Sequence, residues 1–239
     1  MRKLKKQYKW GAYLLGILLL IAIYKIISPD HFKLNRRKFP IIGIDVSKHN
    51  DRIKWDQVKL QDISFVFIKA TEGKTSADPT FKYNYEEARK AGIKVGAYHF
   101  FKYNRDGVEQ ANSFLKQVRQ LKLDLPPALD IEDHYNFTNR NKPSLVVKEI
   151  KKFVKTVEAR TGRKVLIYTN QNEYKKYIKD NFNQNPIWIS SLEEEPEIDR
   201  VWRFWQYTHR GKLEGVKGFV DYNTFNGSKD EWADYLRTY

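Results

Sequence analysis

From Ile41 onward, short β-rich apolar runs alternate with longer segments in which apolar residues recur every third or fourth position. The runs are 41–47 (IIGIDVS), 64–71 (SFVFIKAT), 94–101 (KVGAYHFF), 127–133 (PALDIED), 164–170 (KVLIYTN), 187–190 (IWIS), 204–208 (FWQYT) and 220–225 (VDYNTF), eight candidate strands. Helical patterns fall at 79–92, 107–121 and 144–162, the first and last closing on Gly92 and Gly162. Such alternation predicts an α/β fold with a parallel sheet. Eight strands within residues 41–239 predict an irregular TIM-like β/α barrel with fewer than eight helices, because the connections after Trp188 leave little room for them.

A different pattern precedes the barrel. Residues 1–9 (MRKLKKQYK) are basic, and Trp10–Tyr24 is a run without a charge, followed by Lys25 and two isoleucines. Lys25 can snorkel from a helix end, so the pattern predicts one N-terminal transmembrane helix at residues 10–27. No small-x-small site follows it, which favours an uncleaved signal anchor. The positive-inside rule keeps residues 1–9 in the cytoplasm and places the rest on the periplasmic or extracellular side of a bacterial cytoplasmic membrane, as a single-pass protein. Residues 28–40 (SPDHFKLNRRKFP) read as a polar linker.

The chain carries a formal charge of +15, which suggests a nucleic-acid partner until its distribution is considered. Residues 1–40 hold ten Lys/Arg and one acid, so most of the excess lies beside the apolar run, and no nucleic-acid partner is expected. The absence of cysteine excludes disulfides, thiolate metal sites and a cysteine nucleophile.

Barrels of this kind carry their chemistry at the C-terminal ends of strands. Leu129-Asp130-Ile131-Glu132 is the most informative segment there: alternation points Asp130 and Glu132 the same way, into the barrel mouth. Asp45 and Asp221 are placed to join them. Crowded carboxyls cannot all ionise cheaply, so at least one pKa rises and supplies a general acid of the kind that glycosidic cleavage needs. Taken alone, D-x-E on a strand fits a buried hydrogen-bonded pair or a hard-cation site as readily, but no dedicated metal motif accompanies it, and neither metal nor cofactor is expected. Tyr98, His99, Tyr168, Trp188, Trp205, Gln206 and Tyr207, also near strand ends, are candidate sugar contacts, and His99 fits a core role as well.

The ordered motifs GIDVSKHN, WDQV, FVFIKATEG, YNYEEARKAGIKVGAYHFF, PALDIED, VLIYTN, IWIS, WQYT and VDYN closely resemble glycoside hydrolase family 25, the N-acetylmuramidase or lysozyme family, from about Gly43 to Trp232. The resemblance implies an irregular β/α barrel that cleaves the β-1,4 bond from N-acetylmuramic acid to N-acetylglucosamine in peptidoglycan. It also implies Glu132 as acid/base, Asp130 as its partner and Asp45 and Asp221 as supporting acids. The family's retention of configuration leaves two routes: the substrate's acetamido group, oriented by Asp130, or direct attack by Asp130. An inactive peptidoglycan-binding scaffold on the same fold is the alternative. The anchor, in place of wall-binding repeats, points to a cell-associated remodelling or degrading enzyme.

Overall fold

The computed structural model describes residues 10, 13, 15–21, 33–133, 142–192 and 194–238. Nine strands form one sheet: β1 (Ile42–Val46), β2 (Phe65–Glu72), β3 (Ser76–Ala77), β4 (Lys94–Phe100), β5 (Ala128–Ile131), β6 (Leu166–Asn170), β7 (Ile187–Ser190), β8 (Phe204–Gly211) and β9 (Val220–Phe225). β3 is a two-residue hairpin partner of the end of β2. The other eight close a barrel, because β1 pairs with both β2 and β9.

The expectation of a parallel sheet fails at one strand. β9 runs antiparallel to β8 and β1, while the remaining barrel pairs are parallel. Residues 212–219 are all that join β8 to β9, and a parallel return needs a crossover of about a dozen residues or more. The reversal has a functional consequence: the start of β9, not its end, reaches the barrel mouth, where Asp221 pairs in register with Asp45.

Helices α1 (Trp55–Val58), α2 (Phe81–Lys90), α3 (Gly107–Val118), α4 (Pro143–Thr161), α5 (Gln171–Glu173) and α6 (Lys229–Thr238) are unequal in length. Asp106 caps α3, its Oδ1 accepting from the Val108 and Glu109 amides at 2.8 and 3.0 Å. Pro143 opens α4 and Gly162, at φ 68°, closes it in the left-handed conformation. α3 lies so close to α4 that a Cβ on Gly107 would sit 1.9 Å from the Glu149 carbonyl oxygen. Among the described residues, no helix joins β7 to β8 or β8 to β9, as the short connections require.

The inward positions follow period two on every strand, with apolar residues low and polar ones high. Phe65 and Phe67 lie below Lys69, Ala128 below Asp130, Leu166 and Tyr168 in line, and Phe204 below Gln206; on the reversed β9, Phe225 lies below Asn223 and Asp221. Phe65, Phe67, Leu166, Phe204 and Phe225 fill the barrel floor, and Trp232 of α6 seals it, its ring 5.4 Å from Phe65 and 5.1 Å from Phe225. Outward residues such as Leu129, Ile131 and Ile167 pack in a second apolar layer with helix residues including Val146, Ile150 and Phe153.

The N-terminal residues form a separate compact unit, Met1–His31. Trp10, Tyr13 and residues 15–21 are helical; the rest of the expected anchor, 10–27, and the expected cytoplasmic segment, 1–9, lie outside the described residues. Among the described residues no helix is long and apolar enough to cross a membrane. The end of the expected linker is docked on the barrel: Phe39 is buried against Trp202 and Trp205, Lys38 pairs with Glu195 at 2.7 Å, and Arg36 pairs with Asp62.

Candidate active site

A cleft of about 520 Å³ opens at the barrel mouth, lined by Asp45, Tyr98, Asp130, Glu132, Tyr168, Trp188, Gln206 and Asp221 from among the expected residues. Four carboxyls from three strands or their ends thus converge on one space. A larger crevice, about 630 Å³, lies at the other end, between the C-terminal parts of α3 and α4. Its cations, Lys116, Arg119, Arg160 and Arg163, lie at or just beyond helix C-termini, where positive charge complements the carbonyl ends.

Asp45 is held by two amides whose orientations are themselves fixed. Gln206 Nε2 donates to Asp45 Oδ1 at 2.9 Å, while Gln206 Oε1 accepts from the Tyr168 hydroxyl at 2.9 Å and the Ser190 hydroxyl at 3.1 Å. Asn223 Nδ2 donates to the same Asp45 oxygen at 2.8 Å, and Asn223 Oδ1 accepts from the Trp188 indole at 2.7 Å. Burial pushes Asp45 up to about 6, against the lowering effect of hydrogen bonds from Asn223, Gln206 and Asp221. Asp221 is raised well above the carboxylate range by burial, then by the charge of Asp45. Between them the two acids share a proton, carried by Asp221.

Asp130 is buried and raised well above its ordinary value, first by desolvation and then by Glu132. Its Oδ1 is buried and has no hydrogen-bond partner among the described residues. Glu132, one residue beyond β5, is half-buried and lines the cleft. Lys69 of β2, whose charge acts to lower Asp130, bonds Glu72 at 2.6 Å and lies over the Phe100 ring, 4.6 Å from its centroid. Lys102 reaches the other Glu72 oxygen at 2.9 Å, and hydrogen bonds from these two lysines outweigh desolvation to bring Glu72 down to about 2.

Three expected contacts are not brought to the cleft. His99 faces outward, hydrogen-bonded to Thr71 and Gln110 and stacked 4.9 Å from Phe153; burial lowers it to about 3, so it is neutral and stays so. Trp205 and Tyr207 flank the inward Gln206 and therefore point out, Trp205 donating to the Ser191 carbonyl and packing on Phe39. In their place the cleft takes Ser47, His49, Lys69, Phe100, Ser190, Leu192 and His209. Lys69 was legible as the third inward position after Phe65 and Phe67, and Asn223 as the next inward position after Asp221. The rim residues His49 and Leu192 lie outside the strands, and His209 lies in β8 where the register with β9 shifts after Thr208, so simple alternation does not place it.

The model for glycosyl hydrolases family 25 matches residues 44–216. An uncharacterized protein of Escherichia coli O6:H1, YegX, is 37% identical over 205 residues, 83% of this chain and 74% of that one. Lysozyme M1 of Streptomyces globisporus is 36% identical over 202 residues, 78% and 68% of the two chains. A family 25 glycosyl hydrolase from Bacillus anthracis superposes with a TM-score of 0.81 at 38% identity, over 87% of this chain and 99% of that structure.

Proposed function

We propose, from the premise that this chain belongs to glycosyl hydrolase family 25, that its cleft cleaves the β-1,4 bond from N-acetylmuramic acid to N-acetylglucosamine with retention of configuration. The protein is a glycoside hydrolase of the lysozyme type, and its substrate is peptidoglycan. The observation that carries the mechanism is the convergence of Asp130 and Glu132 on one cleft, with Asp130 raised by burial and by Glu132.

Crowding keeps a proton on the Asp130–Glu132 pair, and Glu132 delivers it to the glycosidic oxygen as the bond from that oxygen to the sugar's C1 breaks. The carbonyl oxygen of the substrate's 2-acetamido group bonds to C1 and displaces the leaving alcohol. The Asp130 carboxylate, which lines the cleft, accepts the acetamido N–H, and positive charge developing on that group offsets the desolvation that disfavours ionised Asp130. Glu132, now a carboxylate, takes a proton from water as the water oxygen attacks C1 and the acetamido group is released. Two inversions give retention. Asp45 and Asp221 set the charge opposite, and Tyr98 and Tyr168 offer aromatic faces to the glycan.

The same reading places the barrel outside a bacterial cytoplasmic membrane, held by residues 10–27. What supports it is the uncharged run behind a basic segment, and the exposure of Leu15, Ile17, Leu18, Leu19 and Leu20 in the described part of that run.

The test is to digest purified peptidoglycan, reduce the fragments with borohydride and weigh them by mass spectrometry. Reduced muramic acid ends are expected, and Glu132→Gln should lower their release by about 10²-fold or more. Reduced glucosamine ends would reassign the bond cleaved; binding without release would make the protein a scaffold. A trapped glycosyl ester on Asp130 would replace the acetamido route by direct attack.

A further inference from the structure

The Trp188 indole is 1% exposed and its N–H is spent on Asn223, which is itself wholly buried. An indole nitrogen only donates, so Asn223 must present Oδ1 to it and aim its NH₂ at Asp45. Gln206 is fixed in the same sense, since its Oε1 accepts from two hydroxyls. Asp45 Oδ1 therefore receives two N–H donors, which favour the ionised form of Asp45 against the desolvation that burial imposes. We propose that Trp188 and Asn223 are positioning residues for this reaction, holding Asp45 as an ionised acceptor and leaving Asp221 as the protonated partner. The inference rests on the muramidase reading and adds to it a buried pair that touches no substrate.

The reason such a device is needed lies in what faces Asp45. Asp221 stands beside it on β9, Asp130 and Glu132 on and after β5; Lys69 of β2, itself paired with Glu72, is the cation of the cleft, Tyr98 and Tyr168 line the walls, and His49 and His209 lie at the rim. Four carboxyls beside a lysine whose charge Glu72 already shares would distribute protons among several arrangements. Directed amides select one, and the charge left on Asp45 helps keep the general-acid proton on the Asp130–Glu132 pair.

The experiment is the pH dependence of kcat and kcat/KM on solubilised peptidoglycan for the full chain, Asn223→Leu and Trp188→Phe. Leucine keeps the volume and removes the donor to a charged group, so kcat near pH 6 should fall by about 10- to 100-fold. KM should stay within about twofold, and the acid limb should move up by about one pH unit, because a carboxylate that loses a donor is protonated more readily. Phenylalanine keeps most of the ring but frees the Asn223 amide to turn, and a smaller shift of the same sign is expected. It serves as the second reading should Asn223→Leu fail to fold, and thermal unfolding reports that failure. Unmoved acid limbs in folded variants, or a rise in KM alone, would overturn the proposal and return Trp188 to the role of sugar contact. If the unmodified chain releases no muramic acid ends, the muramidase reading fails instead.

Discussion

Asp221 keeps a proton because its surroundings penalise losing it: burial disfavours its charged form and Asp45 stands opposite in register. The cost appears in the stability of the fold. A carboxyl raised in the folded state contributes most below its unfolded value, and that contribution is lost as pH rises through the folded one. Asp45, raised to about 6, and the higher Asp130 and Asp221 therefore make the fold less stable at pH 8 than at pH 5. Asp221→Asn mimics the protonated form, so urea midpoints should show it more stable than the parent at pH 8 and nearly equal at pH 5, with turnover lowered at both. A parent midpoint that does not fall between pH 5 and 8 would refute the charge assignment. The convergence of the four acids was legible because each lies at the end of a strand that opens on the same barrel mouth, although D-x-E alone fits a structural pair or a cation site equally. Alternation excludes Trp205 and Tyr207 from the cleft and gives His99 the core role that also fits its sequence, since Tyr98 and Gln206 point in and their neighbours cannot.

At the level of elements, the strand runs and the three longer helices were readable from periodicity, while the direction of β9 was not, since alternation is the same read in either sense. Connection length decides it, and the reversal turns the first residues of β9 into mouth residues. α6 was also missed as a barrel element, although Ser228 and Glu231 form a capping box: the Glu231 amide donates to Ser228 Oγ at 3.2 Å, and Glu231 Oε2 accepts from the Ser228 amide at 2.7 Å. The box starts the helix and Trp232 then docks among Phe65, Phe204 and Phe225. Trp232→Ala should cost about 3–5 kcal/mol in chemical denaturation, the range for losing a large aromatic from a core. Turnover per folded molecule should change little, because the floor and the mouth lie at opposite ends of the barrel. A loss under about 1 kcal/mol would mean that α6 is an ornament rather than a seal.

For the molecule as a whole, charge and hydropathy divide the chain into two parts with different tasks. The cleft, its amide network and its floor are built from residues 41–232, whereas the basic and uncharged runs lie in the separate N-terminal unit. Chemistry and location should therefore be separable by deletion. The full chain is expected to stay with bacterial membranes through a carbonate wash, which strips proteins held by charge alone, and a protease added outside the cytoplasmic membrane should reach the barrel. A chain lacking residues 2–27 should be released to the soluble fraction yet digest solubilised peptidoglycan within about twofold of the full-length rate, since no cleft residue is lost. Release of the full chain by carbonate would reduce the N-terminal segment to an electrostatic contact. Impaired turnover in the shortened chain would refute that separation, because Phe39, docked beside Trp202 and Trp205, and every cleft residue are retained in it.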